Sequence, residues 1–520
     1  MAANTFTGAV NSNYGTAGNW SLLLVPTAND GNTATFNATS PNCIVNVTSV
    51  CNSIDFTGYT NTITMTNAIT VGSGASGTIT LGTTTVNVSG VSALIATGTV
   101  SLTSGTGGLW GGTLSFTTAS ATKTLTSNFS TTNLTVTNNT TLNGVFNCNI
   151  SGNLTLAGTL AGTTTLIMNG TGTWSGNFAI TNNLSFNTSG TITVSGTVNY
   201  STGTMTYIAG TVITTSSTLT IGTACTLNTS GSSSSGSTTT SSTGINWNNL
   251  NLSATLTLTS NLCIITAFNN AYSACIINGS FNCYIRGNMS ITQNCSGTST
   301  IIMNGTGTWT GAQILSNNLT FNTSGTITAS GTLNYYGGII TYTAGTINTA
   351  GSTLTILNSS TLNTSGMSWN NIAFTTTNNQ TITINSLLTA TGSVTKSINT
   401  GITFIGTAGF SFATLTITTT VAFIVSLKST NTYTITTGLT LTGTAATNLT
   451  FKAGTTSSAA LFNLQPGATQ SISFITATDI DSSGGQSLWD YKGTLLRTVN
   501  WNLLTAPGAA PATISYAFVD

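Results

Sequence analysis

Thr191-Ile-Thr-Val-Ser-Gly-Thr-Val-Asn-Tyr200 alternates apolar side chains with small polar ones. A period of two is the sign of a strand with one buried face. The stretch that leads into it, Asn183-Leu-Ser-Phe-Asn-Thr-Ser-Gly-Thr-Ile-Thr193, returns at an offset of 135 as Asn318-Leu-Thr-Phe-Asn-Thr-Ser-Gly-Thr-Ile-Thr328. The same offset links Gly144-Val-Phe-Asn-Cys-Asn-Ile150 with Gly279-Ser-Phe-Asn-Cys-Tyr-Ile285. It also links Met168-Asn-Gly-Thr-Gly-Thr-Trp174 with Met303-Asn-Gly-Thr-Gly-Thr-Trp309. Such self-similarity marks a repeat architecture.

The offset then falls to 122, where Trp247-Asn-Asn-Leu250 matches Trp369-Asn-Asn-Ile372. The difference is a Ser/Thr/Gly run around Ser232 to Thr243, read as a surface loop that the second copy lacks. Within each copy a spacing near 20 recurs, as from Cys263 to Cys283 and from Cys275 to Cys295. About 20 residues make one turn of a parallel β-helix, which rises ~4.8 Å. The expected fold is therefore all-β: a right-handed parallel β-helix, or β-solenoid, with an N-terminal cap and a distinct β-rich C-terminal end. At that spacing the 520 residues predict roughly 25 coils. Residues 1–60 read as the N-terminal cap, and 61–405 as the body. The body carries the duplication at about 110–245 and 246–380. Residues 406–500 form the C-terminal end and 501–520 a tail.

Composition narrows the chemistry. Charged residues are 2% of the chain, against about 25% in an ordinary globular protein. All six acids are Asp, there is no His, and threonine supplies about 120 residues. Histidine-based acid–base catalysis is excluded. A net charge of +1 offers no electrostatic footprint for nucleic acid. No apolar run approaches the ~18 residues of a membrane span, and Met-Ala-Ala-Asn-Thr-Phe6 does not read as a secretion signal. No acidic residue lies between Asp55 and Asp479, so the paired carboxylates of a glycosidase are missing from the body.

Both ends resemble known proteins in style. Phe6-Thr-Gly8, Tyr14, Gly18-Asn-Trp-Ser21, Pro26, Asp30 and Phe36 resemble an N-terminal motif of autotransporter-type passengers, surface adhesins and phage structural proteins. Tyr433-Thr-Ile-Thr-Thr-Gly-Leu-Thr-Leu-Thr-Gly443, Ile480-Asp-Ser-Ser-Gly-Gly485 and Asn500-Trp501 are similar to phage-borne solenoid proteins. The resemblance implies a surface-exposed part of a virion or cell, not a chemistry.

The candidate sites are few. Asp479, Asp481 and Asp490 with Lys492 and Arg497 form the one charged cluster in the sequence. Asp479-x-Asp481-x-Ser483-Gly484 mimics the start of a calcium loop without its closing acid. The alternatives are a solvated turn and a glycosidase pair. Trp174, Trp309, Trp247 and Trp369 suit either core corners or a glycan-stacking track. The eight cysteines lack any CxxC and read as buried free thiols. Flat threonine ladders raise ice binding, which the irregular Thr-x-Thr spacing disfavours.

The expected function is that of a non-enzymatic structural and adhesive protein on the virion surface: a phage fibre, spike or appendage. Calcium is the one cofactor considered. Its partners would be further copies of itself, other virion proteins, or a host surface glycan, with no nucleic acid and no membrane insertion. The alternative is a secreted microbial adhesin or self-assembling extracellular filament.

Overall fold

The computed structural model describes residues 2–73, 76–230, 240–241, 244–270, 273–396 and 399–504. Contacts divide the chain into two compact units, Met1–Arg286 and Gly287–Asp520, with the boundary inside the second copy. Both are parallel β-solenoid, about 21 turns in all. In the first unit Leu94 pairs with Leu114, then Leu134, Leu154, Trp174 and Val194, each one turn above the last at a constant step of 20. All six side chains are buried. Residues paired in register across a parallel ladder point to the same face, so each inward side chain stacks on an inward side chain of the next turn.

Each regular turn contributes three short strands. Asn147–Ile150, Leu154–Leu156 and Leu160–Ala161 lie in register beneath Thr165–Met168, Gly172–Ser175 and Ala179–Ile180. Inward positions are Leu, Ile, Met, Cys and Trp; most outward ones are Thr, Asn or Ser. Branched Thr suits the pleated surface.

Asparagine staples the corners. The Asn133 side-chain oxygen accepts the Asn153 backbone N–H at 2.8 Å, and Asn153 in turn accepts the Thr173 N–H at 2.9 Å. The second copy repeats this, Asn288 accepting from the Thr308 N–H at 3.0 Å. N–H groups whose counterpart one turn below lies outside a strand thus find a side-chain acceptor there. Gly176 and its equivalent Gly311 turn the chain at φ +106° and +116°. A Cβ there would lie 1.9 Å from the carbonyl oxygen of Leu156 or Ile291. Backbone packs on backbone at these corners, so only glycine fits.

The N-terminal motif is an aromatic knot. Trp20 meets Phe6, Tyr14 and Phe36 with ring centroids 5.3, 4.9 and 5.6 Å apart, and its indole N–H donates to the Tyr14 carbonyl at 2.8 Å. The Asn19 side-chain oxygen accepts the N–H groups of Val10 and Asn11, both at 2.9 Å. Asp30 accepts from Thr27 and Asn32.

One sequence expectation changes. The turn count is about 21 rather than 25, because turn length varies and many turns are longer than the spacing of 20, Ile54 already pairing with Ile79 near the N-terminus. Leu134 pairs with Leu154, whereas Thr434 pairs with the more distant Asn463. The parallel ladder runs through residue 406 without a break, Leu388–Lys396 pairing with Phe410–Thr418. What sets the C-terminal part apart is its corners, where non-glycine residues such as Phe474, Asp479, Lys492, Arg497 and Asn500 take positive φ. Most of the Ser232–Thr243 segment lies outside the described residues. Its Thr240–Ser241 pairs antiparallel with Val212 and Ile213, so part of it lies on the solenoid edge.

Corner chemistry sets an order of sensitivity. Asn153→Ala removes one acceptor and should cost about 1 kcal/mol. Gly176→Ala drives a Cβ into a carbonyl and should cost about 2 kcal/mol or more. Denaturant midpoints of the two variants test this; equal losses would show that the corner relaxes.

Candidate functional site

The tryptophans of the proposed sugar track are interior. Trp174, Trp247, Trp309 and Trp369 are each at most 1% exposed. Trp174 and Trp247 meet edge to face at 6.3 Å, and so do Trp309 and Trp369. Phe186 and Phe321 complete the two clusters at 6.2 and 6.1 Å. The glycan role is corrected: no sugar reaches these rings, whose burial and paired geometry make them core plugs. The indole N–H groups of Trp174, Trp247 and Trp369 meet no hydrogen-bond partner. In each copy a buried tyrosine, Tyr200 or Tyr335, donates to the carbonyl of Asn182 or Asn317 at 3.1 Å.

The C-terminal charged cluster comes apart. Arg497 grips Asp479 with both prongs, Nε to one oxygen at 2.5 Å and a terminal nitrogen to the other at 2.8 Å. This hydrogen bonding holds the Asp479 carboxyl below its ordinary pKa. Asp481 closes a local turn by accepting the Ser483 N–H at 2.9 Å. Lys492 lies over the Tyr491 ring at 5.1 Å. The calcium reading of Asp479, Asp481 and Ser483 therefore loses its first ligand to the guanidinium. Among the described residues no group of three Cys, Asp, Glu or His side chains gathers to hold a metal.

Asp490 points inward. It is fully buried between Ile472 and Leu503 in the ladder, and neither carboxylate oxygen has a well-formed hydrogen bond. Desolvation pushes its pKa up to about 7, partly opposed by the Ile475 backbone N–H. Two lysines are also turned inward. Lys123, stacked between Val100 and Leu142, donates to the Gly98 carbonyl. Lys396 donates to the Thr400 hydroxyl at 3.0 Å. Burial lowers both pKa values to about 8. From the sequence, Asp490 belongs to the charged cluster and neither lysine stands out as buried. Their signal is parity, since Lys123 shares the inward face with Ala121 and Leu125, and Asp490 with Leu488.

The eight cysteines are buried thiols outside any disulfide. Burial raises the thiol pKa to about 12 at Cys51, Cys148 and Cys225, which makes them poor nucleophiles. The outer surface holds shallow grooves instead. One of about 470 Å³ is lined by Asn379, Asn399, Thr403, Phe423, Ile424 and Lys452. Another, of about 450 Å³, lies between Gly345–Ala350 and Gly366–Ser368.

A scan of protein-family models, a search of curated proteins and a search of solved structures each found no match. Among the described residues no helix is long and apolar enough to cross a membrane.

The inward charges give stability a shallow minimum in pH. Below its ordinary pKa of 3.8, Asp490 is protonated folded or unfolded and costs nothing. Between there and about 7 the folded chain holds the extra proton, so stability falls as pH rises. For Lys123 and Lys396, the unfolded chain holds the extra proton between about 8 and the ordinary 10.5, so stability rises there. Asp490→Asn should flatten the acid limb and stabilise the protein at pH 8 by about 1–3 kcal/mol. Lys123→Met should flatten part of the alkaline limb. Denaturation midpoints from pH 4 to pH 10 test both signs; an acid limb unchanged by Asp490→Asn would assign it to another group.

Proposed function

We propose that the chain is a non-enzymatic structural and adhesive protein of a virus particle, a phage fibre, spike or surface appendage. The observation that carries this reading is an almost uncharged solenoid whose acidic groups, among the described residues, serve structure. Asp30, Asp55 and Asp481 each accept a backbone N–H from two residues ahead. Asp479 holds Arg497, and Asp490 is sealed inside. None is paired with a second carboxylate for acid–base work. The outer faces present Thr, Asn and Ser, which suit repeated weak contacts with neighbouring protein or with glycan.

The aromatic knot around Trp20 supports the same placement, because its residues are those that resemble phage structural proteins. They equally resemble surface adhesins, and that favours a secreted adhesin or extracellular filament as the second reading.

Antibody labelling of gradient-purified particles, beside cell-surface and secreted fractions, separates the two. The expected result is label on the particles. Label confined to cells or medium selects the second reading. Contacts made through the neutral body should also survive about 1 M salt, where the Debye length is ~3 Å. Release of the chain in that salt would assign attachment to the charged C-terminal part.

A further inference from the structure

The two copies differ at one edge. In the first, Gly210-Thr-Val-Ile213 is covered on its outer side by the antiparallel strand Thr240–Ser241. The chain leaves at Thr229, whose carbonyl accepts the Ile245 N–H at 2.7 Å, and makes its excursion in between. In the second copy the equivalent Thr364 carbonyl accepts the Met367 N–H at 3.1 Å, and the excursion is absent. The equivalent edge, Gly345-Thr-Ile-Asn348, pairs with Thr326–Thr328 on one side. Among the described residues no strand pairs with it on the other. That open side is the groove of about 450 Å³. Val212 is buried in the first copy, whereas its equivalent Ile347 is half-exposed.

An open strand edge beside a groove is a template for one more strand. The sequence holds a segment that suits it. Thr513-Ile-Ser-Tyr-Ala-Phe-Val519 alternates Ile514, Tyr516 and Phe518 with smaller residues, is uncharged, and follows the linker Thr505-Ala-Pro-Gly-Ala-Ala-Pro-Ala512. The groove lining is also uncharged. We infer that the Thr513–Val519 segment of a second copy of this chain adds as a strand to the Thr346–Asn348 edge.

The donor is a second copy because the acceptor's own tail is too short. Following the ladder from the Ile347 turn, the chain passes through Ser368, Thr389, Ser411, Thr434, Asn463, Asp481 and Val499. Those seven steps at ~4.8 Å rise about 34 Å. The linker of residues 505–512 spans at most about 28 Å when fully extended, and it must first reverse direction. Tail-to-edge pairing between copies is heterologous, so it propagates into chains of molecules. The inference stands independently of the virion reading.

Three full-length-based proteins test it: the wild type, a chain stopped after Leu504, and a chain with the segment 231–243 duplicated between Ser365 and Gly366. The last covers the groove with the element that the first copy already carries. Sedimentation velocity should show concentration-dependent association of the wild type and none for either variant. Mixing the variants should restore a one-to-one complex, because one offers the groove and the other the tail. A labelled Thr513–Val519 peptide should bind the stopped chain and bind the grafted chain at least tenfold more weakly. Circular dichroism of each variant establishes that it is folded, and the peptide measurement on the stopped chain does not depend on the graft. Undiminished association of the stopped chain, equal peptide binding to both variants, or a monomeric wild type whose tail peptide binds neither would overturn the inference. So would loss of association on deleting Ser232–Thr243 alone, which would make that segment of a second copy the occupant.

Discussion

Hydrogen bonding from each turn to the next is the constraint on which the rest of this structure depends. The strand ladder fixes the rise at about 4.8 Å per turn, and that spacing decides what each position can hold. Where corner backbones meet, there is no room for a Cβ, as at Gly176 above Leu156. Where the chain leaves the ladder, a side chain must take over as acceptor, as Asn153 does for Thr173. Inside, each residue rests on its counterpart one turn away, so the interior becomes columns of like side chains. A chain held this way needs few charges, because its cohesion lies in backbone hydrogen bonds and stacked apolar groups.

That regularity made much of the fold legible. The alternation at Thr191–Tyr200 is a strand within Leu184–Tyr200. The spacing of 20 is the register of the Leu94-to-Val194 column. The duplication reappears in matched detail, down to the tyrosine–asparagine pairs at 3.1 Å. The candidate site was less legible. Asp479 and Arg497 meet across one turn, but turns vary widely in length. Ile301 pairs with Leu319 across a short one, and Thr434 with Asn463 across a long one. Without a constant turn length, sequence spacing does not say which charges face each other. The tryptophans were ambiguous because equivalent positions in two copies are what either a core or a surface row would show.

The buried ionisable groups break the pattern that surrounds them. Lys123 and Asp490 occupy inward positions that neighbouring turns fill with Val, Leu or Ile. A desolvated charge is costly, and the opposite shifts of these groups reflect one cause: burial favours the neutral form of each. Lys123 has a carbonyl, a hydrogen-bond acceptor that serves either form of the amine. Asp490 has less, and a protonated carboxyl in an apolar column is a small polar side chain much like Asn. Gly493 packs so closely against it that a Cβ there would fall 1.6 Å from the carboxylate. The site is shaped for the Asp490 side chain even though it supplies little to solvate its charge.

The duplication locates where change is tolerated. Through the offset of 135 the two copies share corner glycines, the plug tryptophans Trp174 and Trp309, and asparagine staples, because each of these touches the turn below and the turn above. Gly210 and Gly345 turn at nearly the same φ, +106° and +105°, although the copies diverge shortly afterwards. Divergence falls where the ladder is incomplete, at the side of Val212 and Ile347 that no regular turn among the described residues covers. An insertion there adds chain without moving a turn. Its absence leaves a strand edge exposed, and an exposed edge is the surface a solenoid most readily offers to another strand. The same interruption of the ladder thus accounts for the tolerated insertion in one copy and for the open groove in the other.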